Sequence, residues 1–446
     1  MRIAIAGAGE VGTHLAKLLS RENMEICLLD GNAEHLQDLE ANYDLMTRVG
    51  SPTSIRDLKD MRVKDVDLFI AVTPYESQNI TACLLANELG AKKTLARVDN
   101  YEYLLPENKR VFEHMGLNHL IYPEVLAANE IEESLRTNWM RYHISLCAGA
   151  LQLCVVKVRD TPQTGVIGKR FDSGYYSHGL YRIVLIKREN RTIFPCGTDA
   201  VEAGDMVYAV CTSENMDFLR TQLGKPEHEI KRVMFYGGSR IAQKSAHSLP
   251  EDIQIKILEA NKEKCYQLSE KVGNALIIHA DGSSMESLKD EGIQDTDAFV
   301  AVTESSEANI FACLAAKRFG VNKTIADVEN IDYIPMAEGL DIGTVLNKKT
   351  ITASYIYQML LNASVLNVRN LTSADAEIVE LVATEGSRIT RHKIRDINMP
   401  AEVSIGGLVR AGEGLLVNGD TQIVPGDQVI VLCKSHNIRE LERYFK

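Results

Sequence analysis

The stretch MRIAIAGAGEVG at residues 1–12, followed by EICLLD at 25–30, decides how this chain folds. Arg2 to Gly7 is an apolar run that stops on glycine, as a strand buried on both faces does. Val11, Leu15, Leu18 and Leu19 then recur at helical spacing, and residues 25–30 form a second strand closing on Asp30. A strand, a Gly-x-Gly-x-x-Gly turn, a helix and a second strand ending in an acid is the arrangement that holds an adenine dinucleotide. The glycine pattern alone is weak; its context makes it strong. Gly7 permits the tight turn, Gly9 lets a pyrophosphate approach the backbone, and Gly12 lets the helix pack close to the sheet. The segment Gly7, Ala8, Gly9, Glu10, Val11 and Gly12 therefore offers unpaired N–H groups and a positive helix end to phosphate. Asp30 would accept hydrogen bonds from ribose hydroxyls and repel a 2′-phosphate, which favours NAD over NADP. A carboxylate at Glu10 tilts the preference towards a dinucleotide over ATP.

Beyond Asp30 the periods keep alternating. Helical segments are expected at Ala33–Leu39, Ser54–Met61 (capped near Ser51) and Gln78–Leu89, the last closed by Gly90. Strands are expected at Leu45–Val49, Asp67–Thr73 and Lys93–Val98. Such alternation gives a doubly wound parallel sheet of the Rossmann type. Ligands of open α/β sheets bind outside the carboxyl ends of the strands. That edge carries Thr73, Pro74 and Glu76 after the fourth strand, candidates for the nicotinamide-side ribose or phosphate. It also carries Arg97 after the fifth, whose guanidinium suits a phosphate. Ser51, after the third, is a candidate for the adenine side. Each has a plain structural alternative: a turn, a surface ion pair or a helix cap.

An internal repeat organises the rest. Residues 67–98 and 297–328 are identical at 16 of 32 positions, at an offset of 230. Chance would give about two, so the unit is duplicated. A second repeat sets residues 197–210 against 419–432, with a Gly-Asp turn at Gly204-Asp205 and Gly426-Asp427. The order is thus N–C–N–C, with expected domains at 1–138, 139–227, 228–365 and 366–446. The C domains show short β runs such as Leu151–Val158, Tyr181–Lys187 and Met206–Cys211, then closing helices at Ser213–Leu223 and Ser435–Phe445, each with a serine placed as cap. They read as small α+β domains. Gly224–Arg232 reads as the linker between the halves.

The second glycine loop is degenerate. Gly237-Gly238-Ser239 replaces Gly7-Ala8-Gly9, Ala242 replaces Gly12, and Asp327 replaces Arg97. Glu259 stands where Asp30 stood, so an acid able to hold ribose survives. The copy is expected to bind nucleotide more weakly than the first, or not at all.

Bulk properties narrow the function. A net charge of −12 argues against nucleic acid and against docking on anionic lipid. Residues 350–368 are free of charge but carry too many polar side chains for a membrane span, so a helix running into a strand is expected there. No secretory signal is expected. Nine cysteines without a CxxC pair read as reduced, mostly buried thiols, with no metal site. No catalytic constellation is visible: no Ser/His/Asp or zinc-protease motif, no P-loop, and no acid/base pair beside the nicotinamide side.

Together the glycine loop with Asp30, the AVT-x5-NI-x-AC segments at Ala71–Cys83 and Ala301–Cys313, the Ala96-Arg97-Val98 strand and the paired Gly-Asp turns are similar to the TrkA family, built of RCK (KTN) domains. The resemblance covers essentially the whole chain. It implies a cytosolic regulatory subunit, peripheral at the inner face of the cell membrane, gating a TrkH/TrkG-like potassium-transporter subunit. It further implies a homo-oligomeric ring, dimer or tetramer, and NAD⁺ or NADH as ligand, with ATP and ADP also possible. The site carries over at Gly7, Gly9, Gly12, Asp30, Thr73 and Arg97, and is in doubt at Ser239, Ala242 and Asp327. The competing readings are an NAD-dependent oxidoreductase and a stand-alone nucleotide or redox sensor. The helices at Glu124–Leu135 and Thr350–Leu361 are candidates for transmitting a ligand signal.

Overall fold

The computed structural model describes residues 1–20, 24–189, 191–360, 365–371, 374–434 and 437–446. The chain divides into two compact units, Met1–Ala128 with Asn347–Leu360, and Asn129–Leu346 with Leu361–Lys446.

The first unit is built on six strands: β1 (Arg2–Ala6), β2 (Glu25–Asp30), β3 (Met46–Val49), β4 (Leu68–Ala71), β5 (Thr94–Arg97) and β6 (His119–Ile121). They run parallel in the order β3-β2-β1-β4-β5-β6. This is the dinucleotide-binding order, with its crevice where the strand order reverses at β1. Ile3 and Ile5 face one core layer while Ala4 and Ala6 face the other, and all four are fully buried. Burial on both faces is why the strand reads as a continuous apolar run. The helices Glu10–Leu19, Ala33–Asn42, Ile55–Asp60 and Glu76–Glu88 cover the sheet. The third is capped by Ser54, which accepts from the Asp57 N–H, so Ser51 is not its cap.

One element of this unit comes from far along the chain. The helix Lys348–Leu360 packs on Glu10–Leu19 and sends Ala353 and Ile356 into the first core layer. A fully buried isoleucine such as Ile356 contributes about 1.5–3 kcal/mol. The sequence reading placed this segment at the end of the second nucleotide-type domain. Its apolar face is instead completed by the first.

The second unit holds three sheets. The first is β7 (Tyr142–Leu146), β8 (Leu151–Lys157), β9 (Tyr181–Arg188), β10 (Arg191–Ile193) and β11 (Met206–Cys211), in the order β10-β9-β11-β8-β7. The second is a parallel sheet of β12 (Arg232–Tyr236), β13 (Gln254–Glu259), β14 (Ala275–His279), β15 (Ala298–Ala301), β16 (Lys323–Asp327) and β17 (Thr344–Leu346), ordered β14-β13-β12-β15-β16-β17. The third comprises β18 (Val365–Leu371), β19 (Ala376–Val382), β20 (Val403–Arg410), β21 (Glu413–Leu416) and β22 (Gln428–Cys433), ordered β18-β19-β22-β20-β21. Strand for strand, both the parallel and the antiparallel domains repeat one topology.

The Gly-Asp turns have a concrete cause. Gly204 and Gly426 hold φ of +92° and +90°, which a side chain disfavours. The following aspartates are buried and bound in fork geometry: Asp205 by Arg188 at 2.8 and 2.9 Å, Asp427 by Arg410 at 2.9 and 2.7 Å. The two antiparallel domains share one core, in which Leu151, Val184 and Val210 meet Ile378, Val409 and Leu432. A Cβ on Gly414 would lie 2.3 Å from the backbone Ala150 O, so this close approach between the two domains needs glycine. Ser213 does not cap its helix; its hydroxyl accepts from Gln152 Nε2 at 3.0 Å, and the regular helix starts at Met216. Ser435, the other expected cap, lies outside the described residues, as do Leu361, Asn362 and Ser364.

Among the described residues no helix is long and apolar enough to cross a membrane.

Candidate nucleotide-binding site

β1 delivers Gly7 at φ +107°, and its N–H donates to Leu29 O at 2.8 Å. The loop thus hangs from the neighbouring strand. A Cβ on Gly7 would lie 3.0 Å from Thr73 N, and one on Gly12 only 1.9 Å from Gly7 O. Both positions need glycine because backbone occupies the space of the side chain. Gly9 is different. Nothing lies within 4 Å of where its Cβ would stand, and no side chain caps the helix it opens. Free space beside uncapped N–H groups is what a phosphate requires. Glu10 is exposed at the loop, while Val11 is buried in the core beneath it.

Asp30 is set beside this loop by its own hydrogen bonds. Oδ2 accepts from the Ala8 N–H at 2.7 Å and Oδ1 from the Asn32 N–H at 2.9 Å. A carboxylate has about four lone-pair sites, so two remain for hydroxyl groups. The end of β3 joins it: Gly50 N–H donates to Asp30 O at 2.9 Å, which brings Ser51 to the same edge. The Ser51 N–H donates to Asp57 Oδ2 at 2.8 Å and its hydroxyl pairs with Thr53 Oγ1 at 3.0 Å.

The opposite side is organised by Asn79, buried at 1 % exposure. It donates to Thr73 O and Arg97 O, both at 3.0 Å, and accepts from the Thr73 hydroxyl at 2.7 Å. The ends of β4 and β5 are knotted together in this way. Thr73 is therefore committed to holding the edge, with its hydroxyl also accepting from the Tyr75 N–H at 3.3 Å. Pro74 is exposed on the loop. Glu76 is likewise committed: Oε2 accepts from the N–H groups of Asp99 at 2.5 Å and Asn100 at 2.7 Å. Arg97 has the opposite character. Its Nη2 is 4.0 Å from Asp99 Oδ1, and its buried Nε has no hydrogen-bond partner among the described residues. A guanidinium donor left in this state at a ligand edge suits an anion.

The sequence reading missed Lys349. It stands on the helix Lys348–Leu360, is 6 % exposed, and places its ammonium 2.5 Å from Glu10 Oε2. It brings a cation to the glycine loop and offsets the carboxylate of Glu10. No local signal marks it, because 339 residues separate it from Glu10. Asn79 was visible in the repeated segment, but its role was not.

The second copy keeps this frame and fills the site. Asn309 ties Thr303 to Asp327 as Asn79 ties Thr73 to Arg97. Ser239 caps its helix, accepting from the Ala242 N–H at 3.4 Å. Glu259, 8 % exposed, accepts from the N–H groups of Gly238 and Asn261 at 2.9 Å each, and Lys264 Nζ lies 3.0 Å away. Burial pushes the Glu259 pKa up, but the Asn261, Lys264 and Gly238 hydrogen bonds outweigh it and hold the carboxyl below its ordinary value. A Cβ on Gly238 would lie 2.2 Å from Leu268 Cδ1. The Tyr236 ring, standing where the first copy has Ala6, leaves no room for a Cβ on Gly282. The residues of the first copy fit a dinucleotide; at the second loop Ser239 caps the helix, Leu268 crowds Gly238, and Gly238, Asn261 and Lys264 engage Glu259.

Fold and site define a class: a tandem Rossmann-type chain with one open phosphate loop, each nucleotide-type domain followed by the same small β-rich domain. Comparison with known proteins is more specific, and the chain belongs to the TrkA family. The family model for the TrkA-N domain matches residues 3–123 and 233–348, and that for the TrkA-C domain matches 378–446. The chain is 30 % identical to the Trk system potassium uptake protein TrkA of Halomonas elongata, covering 100 % of this chain and 99 % of that one. It is 31 % identical to the TrkA protein of Haemophilus influenzae, with the same coverage of 100 % and 99 %. Among solved structures, the GsuK RCK domain superposes with a TM-score of 0.59 at 16 % identity, over 100 % of this chain and 94 % of that chain. The GsuK channel bound to NAD gives a TM-score of 0.59 at 16 % identity, over 100 % of this chain and 78 % of that chain. These two share the fold.

Proposed function

We propose that the chain is the cytosolic regulatory subunit of a Trk-type potassium uptake transporter and senses NAD⁺ or NADH in its first Rossmann domain. The observation that carries the reading is the uncapped helix at Gly9 with open space around it, flanked by Asp30 and the orphaned Nε of Arg97. Membership of the TrkA family supplies the transport context. Four domains, 1–138, 139–227, 228–365 and 366–446, form the working division, and the subunit assembles as a homo-oligomeric ring under a TrkH/TrkG-like membrane partner. ADP or ATP is a competing ligand of the same loop. The chain is not an enzyme in this reading. At the nicotinamide edge Glu76 and Thr73 are already committed to backbone groups, which leaves neither of them as a ready acid or base.

Such a sensor works by linkage: the nucleotide shifts the gate only by its differential affinity for two conformations. Lys349 gives that idea a physical handle. A helix from late in the chain meets the phosphate loop through the Lys349–Glu10 pair, so charge arriving at the loop acts on that helix as well.

Titration calorimetry with NAD⁺, NADH, ATP and ADP tests the site. Asp30→Ala removes a carboxylate whose bonds to hydroxyls are worth about 1.5–3 kcal/mol each, so affinity is expected to fall about 100-fold. Unchanged affinity in the variant overturns the assignment. Co-purification with a membrane potassium-transporter subunit tests the partner.

A further inference from the structure

The second unit contains a cavity of about 140 Å³ where the first antiparallel domain meets the second parallel sheet. Its walls are basic. Arg141, Lys157 and Arg159 come from in and around β7 and β8, Lys225 from the linker, Lys317 from the helix Ser306–Arg318 and Lys323 from β16. One carboxylate answers them at close range. Asp341 pairs with Arg141, with Arg159 at 3.1 Å and with Lys317 at 3.2 Å. Among the described residues, the Lys323 ammonium, 4 % exposed, bonds only the Met140 carbonyl, at 2.7 Å. Among the described residues no hydrogen bond or close ion pair ties the ammonium of Lys157 or of Lys225. Two further acids lie nearby but are engaged elsewhere, Glu338 by Lys187 at 3.5 Å and Asp205 by Arg188.

Buried like charges without counter-ions are costly, and a protein either neutralises them or supplies an anion. The groups show that strain. Burial, reinforced by Arg141 and Arg159, pushes Lys317 down to about 7, and burial with Arg159 and Arg141 pushes Lys225 down to about 8. Lys323 is driven down by burial and by Arg141. A chain with a net charge of −12 has concentrated six cations on one small cavity. Arginine forks and lysine point charges together suit phosphoryl oxygens.

We propose that this cavity binds a compact polyphosphate anion, either the di- or triphosphate group of a nucleotide or a free inorganic polyphosphate. The ligand would bridge the first antiparallel domain, the linker and the second parallel sheet, supplying the counter-charge that Asp341 alone does not. The proposal concerns a site separate from the glycine loop and does not depend on what that loop binds.

Trp139, the only tryptophan of the chain, lines the cavity and reports on it. Full-length protein carrying Asp30→Ala is titrated at constant ionic strength with sodium tripolyphosphate, ATP and sulfate, following tryptophan fluorescence and heat. Tripolyphosphate or ATP is expected to give a saturable change, weakened at least tenfold by the double substitution Lys157→Ala and Lys225→Ala. Because that variant removes two half-buried cations whose ammonium groups have no hydrogen bond or close ion pair among the described residues, its thermal midpoint without ligand should not fall, which separates lost binding from lost folding. Saturation by ATP at lower concentration than tripolyphosphate assigns the ligand to nucleotides; the reverse assigns it to free polyphosphate. Absence of a saturable signal with both, an undiminished affinity in the double variant, or an identical curve with sulfate would each overturn the proposal.

Discussion

The two glycine loops of this chain share a backbone and differ in what satisfies it. At the first, the helix opened by Gly9 has no side-chain cap, and the Nε of Arg97 has no hydrogen-bond partner among the described residues. At the second, Ser239 caps the helix, Lys264 pairs with Glu259, and Leu268 fills the space over Gly238. Both ends of the comparison obey one rule: buried polar groups must be paired. The first loop keeps the N–H groups of its helix free of a side-chain cap, whereas the second caps them with Ser239 and ties its acid to Lys264. Fold repetition therefore says nothing by itself about repeated binding, and the polar accounting does.

The comparison can be broken by converting the first loop into the second. The largest effect is expected from Arg97→Asp, which copies the residue of the second site and replaces a cation by an anion that would repel phosphate. Affinity for NAD measured by calorimetry should fall about 100-fold, the equivalent of one charged hydrogen bond of about 1.5–3 kcal/mol; a loss under threefold would mean that Arg97 faces away from the ligand. Gly9→Ser should come next. It supplies the missing cap and crowds the phosphate space, so affinity should drop about tenfold while thermal stability holds or rises by about 0.5–1 kcal/mol. Equal affinity with raised stability would show that the helix N-terminus is not the phosphate seat. Lys349→Ala should cost less, about three- to fivefold in affinity, since Glu10 would then face the phosphates without its partner. A variant that binds as tightly as the parent would confine Lys349 to packing.

The smallest expected effect lies in the second loop and concerns pH. Glu259 is held below its ordinary pKa by the hydrogen bonds that outweigh its burial. A carboxyl depressed in the folded state contributes stability above its unfolded pKa and loses it as pH falls through the folded value. Thermal midpoints of the parent and of Glu259→Gln should therefore differ near neutral pH and converge in the acid range. A difference that persists unchanged at acid pH would show that the carboxylate charge is not what the loop uses.

Much of the site was legible because its logic is local. Gly7, Gly9 and Gly12 follow from strand, turn and helix succeeding one another within a dozen residues, and Asp30 from the next strand. The degeneracy of the second loop was equally readable at Ser239, Ala242 and Asp327. What the sequence left open was chemistry that depends on neighbours. Thr73 and Glu76 could be read either as ligand groups or as turn residues, and in the structure backbone N–H groups and Asn79 engage them. Glu259 read as a surviving ribose acid, yet Lys264 and Gly238 occupy it. The acidic net charge hid a basic cavity, because its six cations come from separate parts of the chain.

Sequence alone determined the duplication, the parallel sheets, the Gly-Asp turns and the glycine loop, since each rests on periodicity or on backbone conformations that only certain residues adopt. Tertiary structure alone decided which polar groups remain available. It placed Lys349 beside Glu10, packed Ile356 into the first sheet's core, tied Thr73 to Asn79 and gathered Lys157, Lys225 and Lys323 around one cavity. Contacts between residues hundreds of positions apart carry no local pattern, because they are set by how finished elements pack rather than by the order in which the chain presents them.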